Sequence, residues 1–445
     1  MIKKLLFIVL FLPLFALGQH TIKGTFSPAK DYKWAVLYKV TPTNLLYKTD
    51  AKVDEEGNFT LQLDETITKG MYRLVYAVPQ DIFNFDIIYN ASEDIQLSFS
   101  QEKGIEFLAS KENSLLRTYE AEMYSIQTEI GKMYKDGYDA VAPFFEALDE
   151  LQQTFEAEAK GTIALQFIKA NKPYIPKSPE NIESYISNSK KNYFNYVDVN
   201  NPTLQESSFI TEYAYNFIRG FVGKDEDTAS AFENNIDIFQ ARIENSDPMF
   251  QKVQWMKLWQ KFVDNDKAHT ANYIAENYLI KLAKALSDET LVEDLTLFKN
   301  ITIGNKAPNF SWEALENKKA VLKNLHELDV AKNYIIVFWS SACSHCLKEV
   351  PLLHSKIAPM EKGAFKVIAV GLEDEPYAWR NRIRDFPEFV HVVGLGKWEN
   401  EIGNDYGVNA TPTYFVLDKD KKIIAKPENF EGLLEILQSI KIADK

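Results

Sequence analysis

Residues 334–351, Tyr-Ile-Ile-Val-Phe-Trp-Ser-Ser-Ala-Cys-Ser-His-Cys-Leu-Lys-Glu-Val-Pro, decide how the last third of this chain folds. The apolar run Tyr334–Trp339 reads as a buried strand, Ser340-Ser341-Ala342 as a short loop, and Cys343-Ser344-His345-Cys346 as the start of a helix. These two cysteines are the only ones in 445 residues. A chain that keeps two thiols and sets them three apart is expected to use them for chemistry. At the first turn of a helix both sulfurs can meet and close a small, reversible disulfide.

The neighbouring residues fill out that centre. Cys343 is expected at the exposed helix N-terminus, where unpaired N–H groups and the helix dipole favour a thiolate, so it is the attacking thiol. Cys346, one turn in and more buried, is the resolving thiol. His345 and Lys348 bring positive charge close to Cys343, or else are solvated side chains that tune nothing. Glu349 lies three residues after Cys346 and projects towards the same side. It is either the group that takes and returns the Cys346 proton or a surface acid. Thr411-Pro412-Thr413 puts a proline at a strand start, where no ladder bond is lost and a cis bond costs little. The Thr411 backbone would then pair with an extended substrate, and Trp339 completes the expected substrate-binding pair.

Rival chemistries fit poorly. A zinc site needs four ligands, whereas His20, His269, His326, His354 and His391 are scattered, so no metal is expected. Haem attachment needs a histidine after the second cysteine, and residue 347 is leucine. A structural disulfide across so short a loop would restrict the unfolded chain little. No cofactor is expected.

Working outward, the pattern from 301 onward alternates strands and helices. Strands are expected at Tyr334–Trp339, Phe365–Val370, His391–Val393, Thr413–Leu417 and Lys422–Ile424, with helices after the cysteines, through Trp379–Phe386, at Trp398–Tyr406 and at the end. This is an α/β sheet covered by helices. Upstream, residues 19–110 read as short strands: Phe59–Leu63 and Ile95–Phe99 alternate apolar and polar, and Lys33–Val40, Met71–Val78 and Phe83–Tyr89 are aromatic and β-branched. A small β-sandwich is expected there. Between 111 and 300 the period becomes helical. Leu116, Tyr119, Met123, Ile126, Ile130 and Met133 form one stripe, and Phe144, Leu148, Leu151 and Phe155 another, joined through Lys135-Asp136-Gly137 as a helical hairpin. Ser178-Pro179-Glu180 is a helix start. The aromatics Tyr193, Phe194, Tyr196, Phe209, Tyr213, Tyr215 and Phe217 are core, or alternatively line a peptide groove.

The first residues set the expected compartment. Met1–Lys4 is a short basic segment, Leu5–Leu17 is apolar, and Ala16-Leu17-Gly18 offers small residues before a cut at Gln19. This is a secretory signal peptide pattern over 1–18; a membrane anchor would need about 20 apolar residues. No cysteine follows the cut to carry a lipid. The mature chain is therefore expected to be soluble in the periplasm, where disulfides persist. A net charge of −13 argues against nucleic acid as a partner. The length calls for more than one domain, and the whole reads as multidomain: a β-rich segment, a helical region, and an α/β domain over 301–445.

Residues 301–445 resemble the TlpA/ResA branch of the thioredoxin superfamily, the thiol–disulfide oxidoreductases of bacterial envelopes. The resemblance rests on Ala307-Pro308-Asn309-Phe310, on residues 337–351, on Tyr406-Gly407-Val408, and on Ala410-Thr-Pro-Thr-Tyr-Phe-Val-Leu-Asp418. It implies a thioredoxin-like fold, Glu349 as the active-site acid and Pro412 as the cis-proline. It also implies protein thiols or disulfides of the envelope as partners, apocytochrome c among them, and a membrane electron donor of the DsbD type. The preceding segments resemble the N-terminal extension common in envelope proteins of Bacteroidetes. Two departures stand out: Ala342 replaces the usual tryptophan before the first cysteine, and Val337 stands where cytosolic thioredoxins keep a buried aspartate. The inner pair Ser344-His345 is similar to the dipeptide of the DsbA oxidases. A reductase is the expected direction; a disulfide donor, or a partner-binding protein with a redox-sensing domain, are the alternatives.

Overall fold

The computed structural model describes residues 20–137, 141–178, 180–223, 226–316 and 319–443. The expected signal peptide lies outside these residues, as does Pro179 of the expected helix start. The chain forms two compact units, Met1–Leu258 and Trp259–Lys445.

The first unit begins with eight strands: β1 (His20–Ser27), β2 (Trp34–Val40), β3 (Leu45–Lys52), β4 (Asn58–Leu63), β5 (Gly70–Val75), β6 (Asn84–Tyr89), β7 (Ile95–Ser100) and β8 (Gly104–Ala109). They form two four-stranded sheets, ordered β4-β1-β7-β8 and β3-β2-β5-β6. Alternation explains their inner faces: β4 buries Phe59, Leu61 and Leu63 and exposes the residues between. Ile22, Leu61 and Leu97 of one sheet share a core with Leu37, Leu74 and Ile87 of the other. Gly57, at φ +89°, supplies the left-handed turn before β4.

Helices follow: α1 (Lys111–Lys135), α2 (Ala142–Glu158), α3 (Ala164–Ala170), α4 (Ile182–Asn192), α5 (Pro202–Gln205), α6 (Phe209–Gly220), α7 (Thr228–Ile243) and α8 (Pro248–Asp264). Within the expected stripe of α1, Tyr119, Met123 and Ile130 are buried. The Tyr119 hydroxyl donates to Gln152 of α2 at 2.8 Å, tying the two helices together. The aromatic cluster is core: Phe194, Tyr215 and Phe217 are buried, the Tyr193 and Tyr213 rings lie 4.3 Å apart, and each hydroxyl donates to the other residue's carbonyl. Tyr196 alone of this group is half exposed.

The second unit contains α9 (Ala268–Ile274), α10 (Ile280–Ala285) and α11 (Glu289–Asn300), then β9 (Ser311–Glu316), β10 (Lys319–Asn324), β11 (Asn333–Trp339), α12 (Cys346–Ile357), β12 (Phe365–Glu373), α13 (Pro376–Arg382), β13 (Val390–Leu395), α14 (Glu401–Asp405), β14 (Thr413–Leu417), β15 (Ile423–Ala425) and α15 (Phe430–Ala443). Five strands form one sheet in the order β13-β12-β11-β14-β15. β11, β12 and β13 run parallel, and β14 is antiparallel to β11. Every residue of β11 is buried. Ile336 and Phe338 enter a core with Phe310, Tyr406 and Phe415 on one face. Ile335, Val337 and Trp339 enter another with Val350 and Leu353 of α12 and Leu433 and Leu437 of α15. A strand covered on both faces reads as an unbroken apolar run. The antiparallel β9–β10 pair was not anticipated from sequence. β10 is largely exposed, with Leu322 at 71%, so it carries no alternation to reveal it. Among the described residues no helix is long and apolar enough to cross a membrane.

Candidate active site

β11 delivers the chain from the middle of the sheet into the loop Ser340–His345. The Cys343 carbonyl accepts from the Leu347 N–H at 3.0 Å, so the first turn of α12 is anchored on Cys343. That leaves the Cys346 N–H free to turn back, and it donates to Cys343 Sγ at 3.2 Å. Both thiols are free, Cys343 half-buried and Cys346 fully buried. The sulfur of Cys343 thus accepts from the N–H of the first residue of α12, at the end of the helix where unpaired N–H groups concentrate positive potential.

The two thiols titrate in opposite directions. Burial pushes the Cys343 thiol up, but hydrogen bonds from the Cys346 thiol and N–H, from the Thr411 side chain and from the His345 N–H outweigh it, and the net shift is downward. Cys346 is pushed up to about 12, first by burial and then by its hydrogen bond to Cys343, against smaller opposing contributions from the Ser340 N–H and Thr411. One site therefore holds a stabilised anion beside a retained proton.

β14 brings in the second wall. Thr413 pairs with Phe338 and Tyr414 with Val337, which sets Thr411 and Pro412 beside the cysteines. The Thr411–Pro412 peptide is cis. The Cys343 thiol donates to the Thr411 carbonyl at 3.3 Å.

Glu349, half-buried on α12, accepts a hydrogen bond from the Tyr414 hydroxyl at 2.8 Å. Tyr414 is 1% exposed. Its hydroxyl is held well above the usual tyrosine range by burial first, then by Glu349, with Cys346 and Cys343 adding to the effect. Tyr414 thus bonds Glu349, and its shift responds to both sulfurs. Sequence reading missed it, although a hydroxyl two residues past the proline, in a strand paired with β11, was a usable signal. Glu373, at the end of β12, was also missed. It is 5% exposed and accepts from Ser341 Oγ at 2.9 Å and Ser340 Oγ at 3.4 Å.

The remaining expected site residues fall less centrally. Trp339, expected to contact substrate, is 1% exposed and packs in the core that holds Cys346 and Val350. It backs the cysteines rather than facing a partner, because the alternation along β11 turns it onto the covered α12 face. The side chains of His345 and Lys348 are exposed; His345 reaches Cys343 through its backbone N–H. Among the described residues, no three His, Cys, Asp or Glu side chains converge on a place for a metal ion.

Taken together, an accessible thiol with a favoured anion, a buried protonated thiol in contact with it, and a carbonyl at the strand start suit thiol–disulfide exchange.

Known proteins resemble this part of the chain. The Redoxin family profile matches residues 302–431. The thiol-disulfide oxidoreductase ResA of Bacillus cereus is 30% identical over 143 residues, covering 31% of this chain and 79% of that protein. The ResA of Geobacillus thermodenitrificans is 26% identical over 166 residues, covering 37% and 92%. Among solved structures, a thiol-disulfide oxidoreductase from Bacteroides fragilis is 22% identical over 31% of this chain and 99% of its own, with a TM-score of 0.26. A thioredoxin-like protein from Bacteroides caccae is 18% identical over 60% of this chain and 96% of its own, with a TM-score of 0.29.

Proposed function

Because this chain belongs, through its C-terminal domain, to the ResA-like thiol–disulfide oxidoreductases of the thioredoxin superfamily, we propose that Cys343 and Cys346 are its redox pair and reduce protein disulfides of the bacterial envelope. The thiolate of Cys343 attacks one sulfur of a substrate disulfide. A Cys343–substrate S–S bond forms as the substrate S–S bond breaks, and the first substrate thiolate leaves with the electron pair. Cys346 then gives up its proton to Glu349 and attacks the Cys343 sulfur. The mixed disulfide breaks, the second substrate sulfur leaves as a thiolate with the electron pair and takes up the proton held by Glu349, and Cys343–Cys346 remains as a disulfide. Two electrons have passed to the substrate. A dithiol donor of the DsbD type, held in the membrane, returns them by the reverse exchange. Thr411 offers its carbonyl to an extended substrate as a strand-like pairing, and Pro412 shapes that edge. The signal pattern at 1–18 supports a periplasmic location.

The observation that carries this reading is the opposed titration of the two sulfurs, Cys343 down and Cys346 up, at 3.2 Å between Cys343 Sγ and the Cys346 N–H. It supports Cys343 as the attacking thiol and Cys346 as the thiol kept unreactive until it is needed. Replacing Cys346 by serine keeps the attack and removes the resolution. Envelope proteins are then expected to accumulate on Cys343 as reducible adducts, absent when Cys343 is also replaced. A Cys346→Ser strain with no such adducts would refute the assignment.

The same lowered Cys343 supports a second reading, a disulfide donor, since a stabilised thiolate favours the reduced form and makes the disulfide more oxidising. The reduction potential separates the two. A value near that of thioredoxin, about −270 mV, supports the reductase, and one near about −120 mV the donor.

A further inference from the structure

β12 outruns β11 by two residues. Trp339, the last residue of β11, pairs with Gly371, and the strand continues to Glu373 beside the loop that leads to the cysteines. Glu373 is 5% exposed, and its carboxyl bonds to the loop. One oxygen accepts from the Ser341 N–H. The other accepts from Ser341 Oγ at 2.9 Å and Ser340 Oγ at 3.4 Å. A carboxyl group is costly to bury unless it is well hydrogen-bonded, and here two consecutive loop residues supply three hydrogen bonds.

One of those two residues, Ser340, is also tied to the cysteines. The Ser340 carbonyl accepts from the Cys343 N–H at 3.1 Å, Ser340 Oγ accepts from the Ala342 N–H at 3.3 Å, and a hydrogen bond from the Ser340 backbone opposes the upward shift of the Cys346 thiol. Ser340 is itself 4% exposed, so it has little freedom once its hydroxyl and its neighbour are fixed. We propose that Glu373 is a positioning residue for the dithiol: it clamps Ser340 and Ser341 so that the Cys343 N–H and the Cys346 sulfur are held in register with the first turn of α12. The hydrogen bonds of Glu373 go to the loop and not to a sulfur. Glu373 acts through the loop, and its effect is on the relative stability of the reduced and oxidised pairs.

The inference rests on Cys343 being the attacking thiol, so the wild-type protein is measured beside each variant. Two readings are taken on the full chain: the pH midpoint for alkylation of Cys343, and the equilibrium with glutathione. Glu373→Ala removes both acceptor oxygens and with them all three hydrogen bonds. Its Cys343 midpoint is expected to rise, and its disulfide to become about tenfold harder to reduce, equivalent to about 30 mV more negative. Glu373→Gln keeps an acceptor for the Ser341 N–H and a polar group for the hydroxyls, and is expected to return both readings to within about twofold of wild type. If Glu373→Ala does not fold, Glu373→Asp takes its place, withdrawing the carboxyl by one carbon while keeping its chemistry, and is expected to shift both readings in the same direction. A folded Ala variant, or in its absence an Asp variant, with wild-type midpoint and potential would overturn the proposal. So would a Gln variant as displaced as Ala. Failure of the wild-type Cys343 to react ahead of Cys346 would instead refute the assignment on which the inference stands.

Discussion

The Tyr414 hydroxyl lies 2.8 Å from Oε2 of Glu349, across 65 residues of sequence. The donor is buried and the acceptor is the acid nearest the resolving thiol along α12, so this bond orients a half-buried side chain. Tyr414→Phe keeps the ring and its packing and removes only the donor. Hydrogen bonds to charged groups contribute about 1.5–3 kcal/mol, and part of that is regained by water at the half-exposed Glu349. Resolution of a Cys343 mixed disulfide is expected to slow about tenfold, ~1.4 kcal/mol in the barrier. The attack of Cys343 on a model disulfide should be unchanged. Single-turnover kinetics with a chromogenic disulfide separate the two steps; equal slowing of both would refute the orienting role.

The two cysteines also predict how stability changes with pH in one redox state only. Cys346 in the folded, reduced protein is pushed up to about 12, above the ordinary thiol value of about 8.5. A raised group stabilises the fold below its unfolded pKa and loses that contribution as pH climbs through the folded one. Cys343 runs the other way: its lowered value adds stability above the ordinary thiol pKa, lost as pH falls through its folded value. Reduced protein should therefore lose stability relative to oxidised protein between roughly pH 8.5 and 12 through Cys346. The oxidised form has neither thiol; the buried tyrosines away from the site are common to both states, and Tyr414→Phe in both forms removes the one tyrosine that the sulfurs themselves shift. Urea unfolding of both forms across this range measures the difference; parallel curves would count against the buried, protonated Cys346.

Trp339 distinguishes support from contact. At 1% exposure in the core beneath Cys346, its replacement by alanine leaves a cavity, and large-to-small changes at such sites cost about 3–5 kcal/mol. The expected result is a large loss of stability in both redox forms, seen as a lower denaturant midpoint at unchanged slope. A tryptophan that met substrate would instead weaken the KM while leaving the midpoint in place.

The parts of this domain legible in sequence are those where one local pattern has one physical cause. β11 is an unbroken apolar run because both its faces are covered, and the C-x-x-C follows it directly. Thr411-Pro412 is legible as a strand start because Thr413–Leu417 follows. Tyr414 and Glu373 were not legible, since their partners lie 65 and 32 residues away. What joins them is register, Tyr414 opposite Val337 and Gly371 opposite Trp339, which no local pattern reports. The aromatics around Tyr193–Phe217 were ambiguous for a different reason: composition is the same for a groove and a core, and only burial separates them.

His345 offers the last test, because the structure divides its influence between backbone and side chain. Its imidazole is exposed, and an exposed charge near a thiolate is screened and contributes little. Its N–H, by contrast, is among the donors that lower Cys343. His345→Ala keeps that N–H and should move the Cys343 alkylation midpoint by less than about half a pH unit. His345→Pro removes the donor while suiting the backbone, since the residue sits at φ −69° and proline favours about −65° at the start of a helix. The proline variant should raise the midpoint and, by destabilising the thiolate, make the disulfide less oxidising. A shift in the alanine variant as large as that in the proline variant would place the tuning on the imidazole instead.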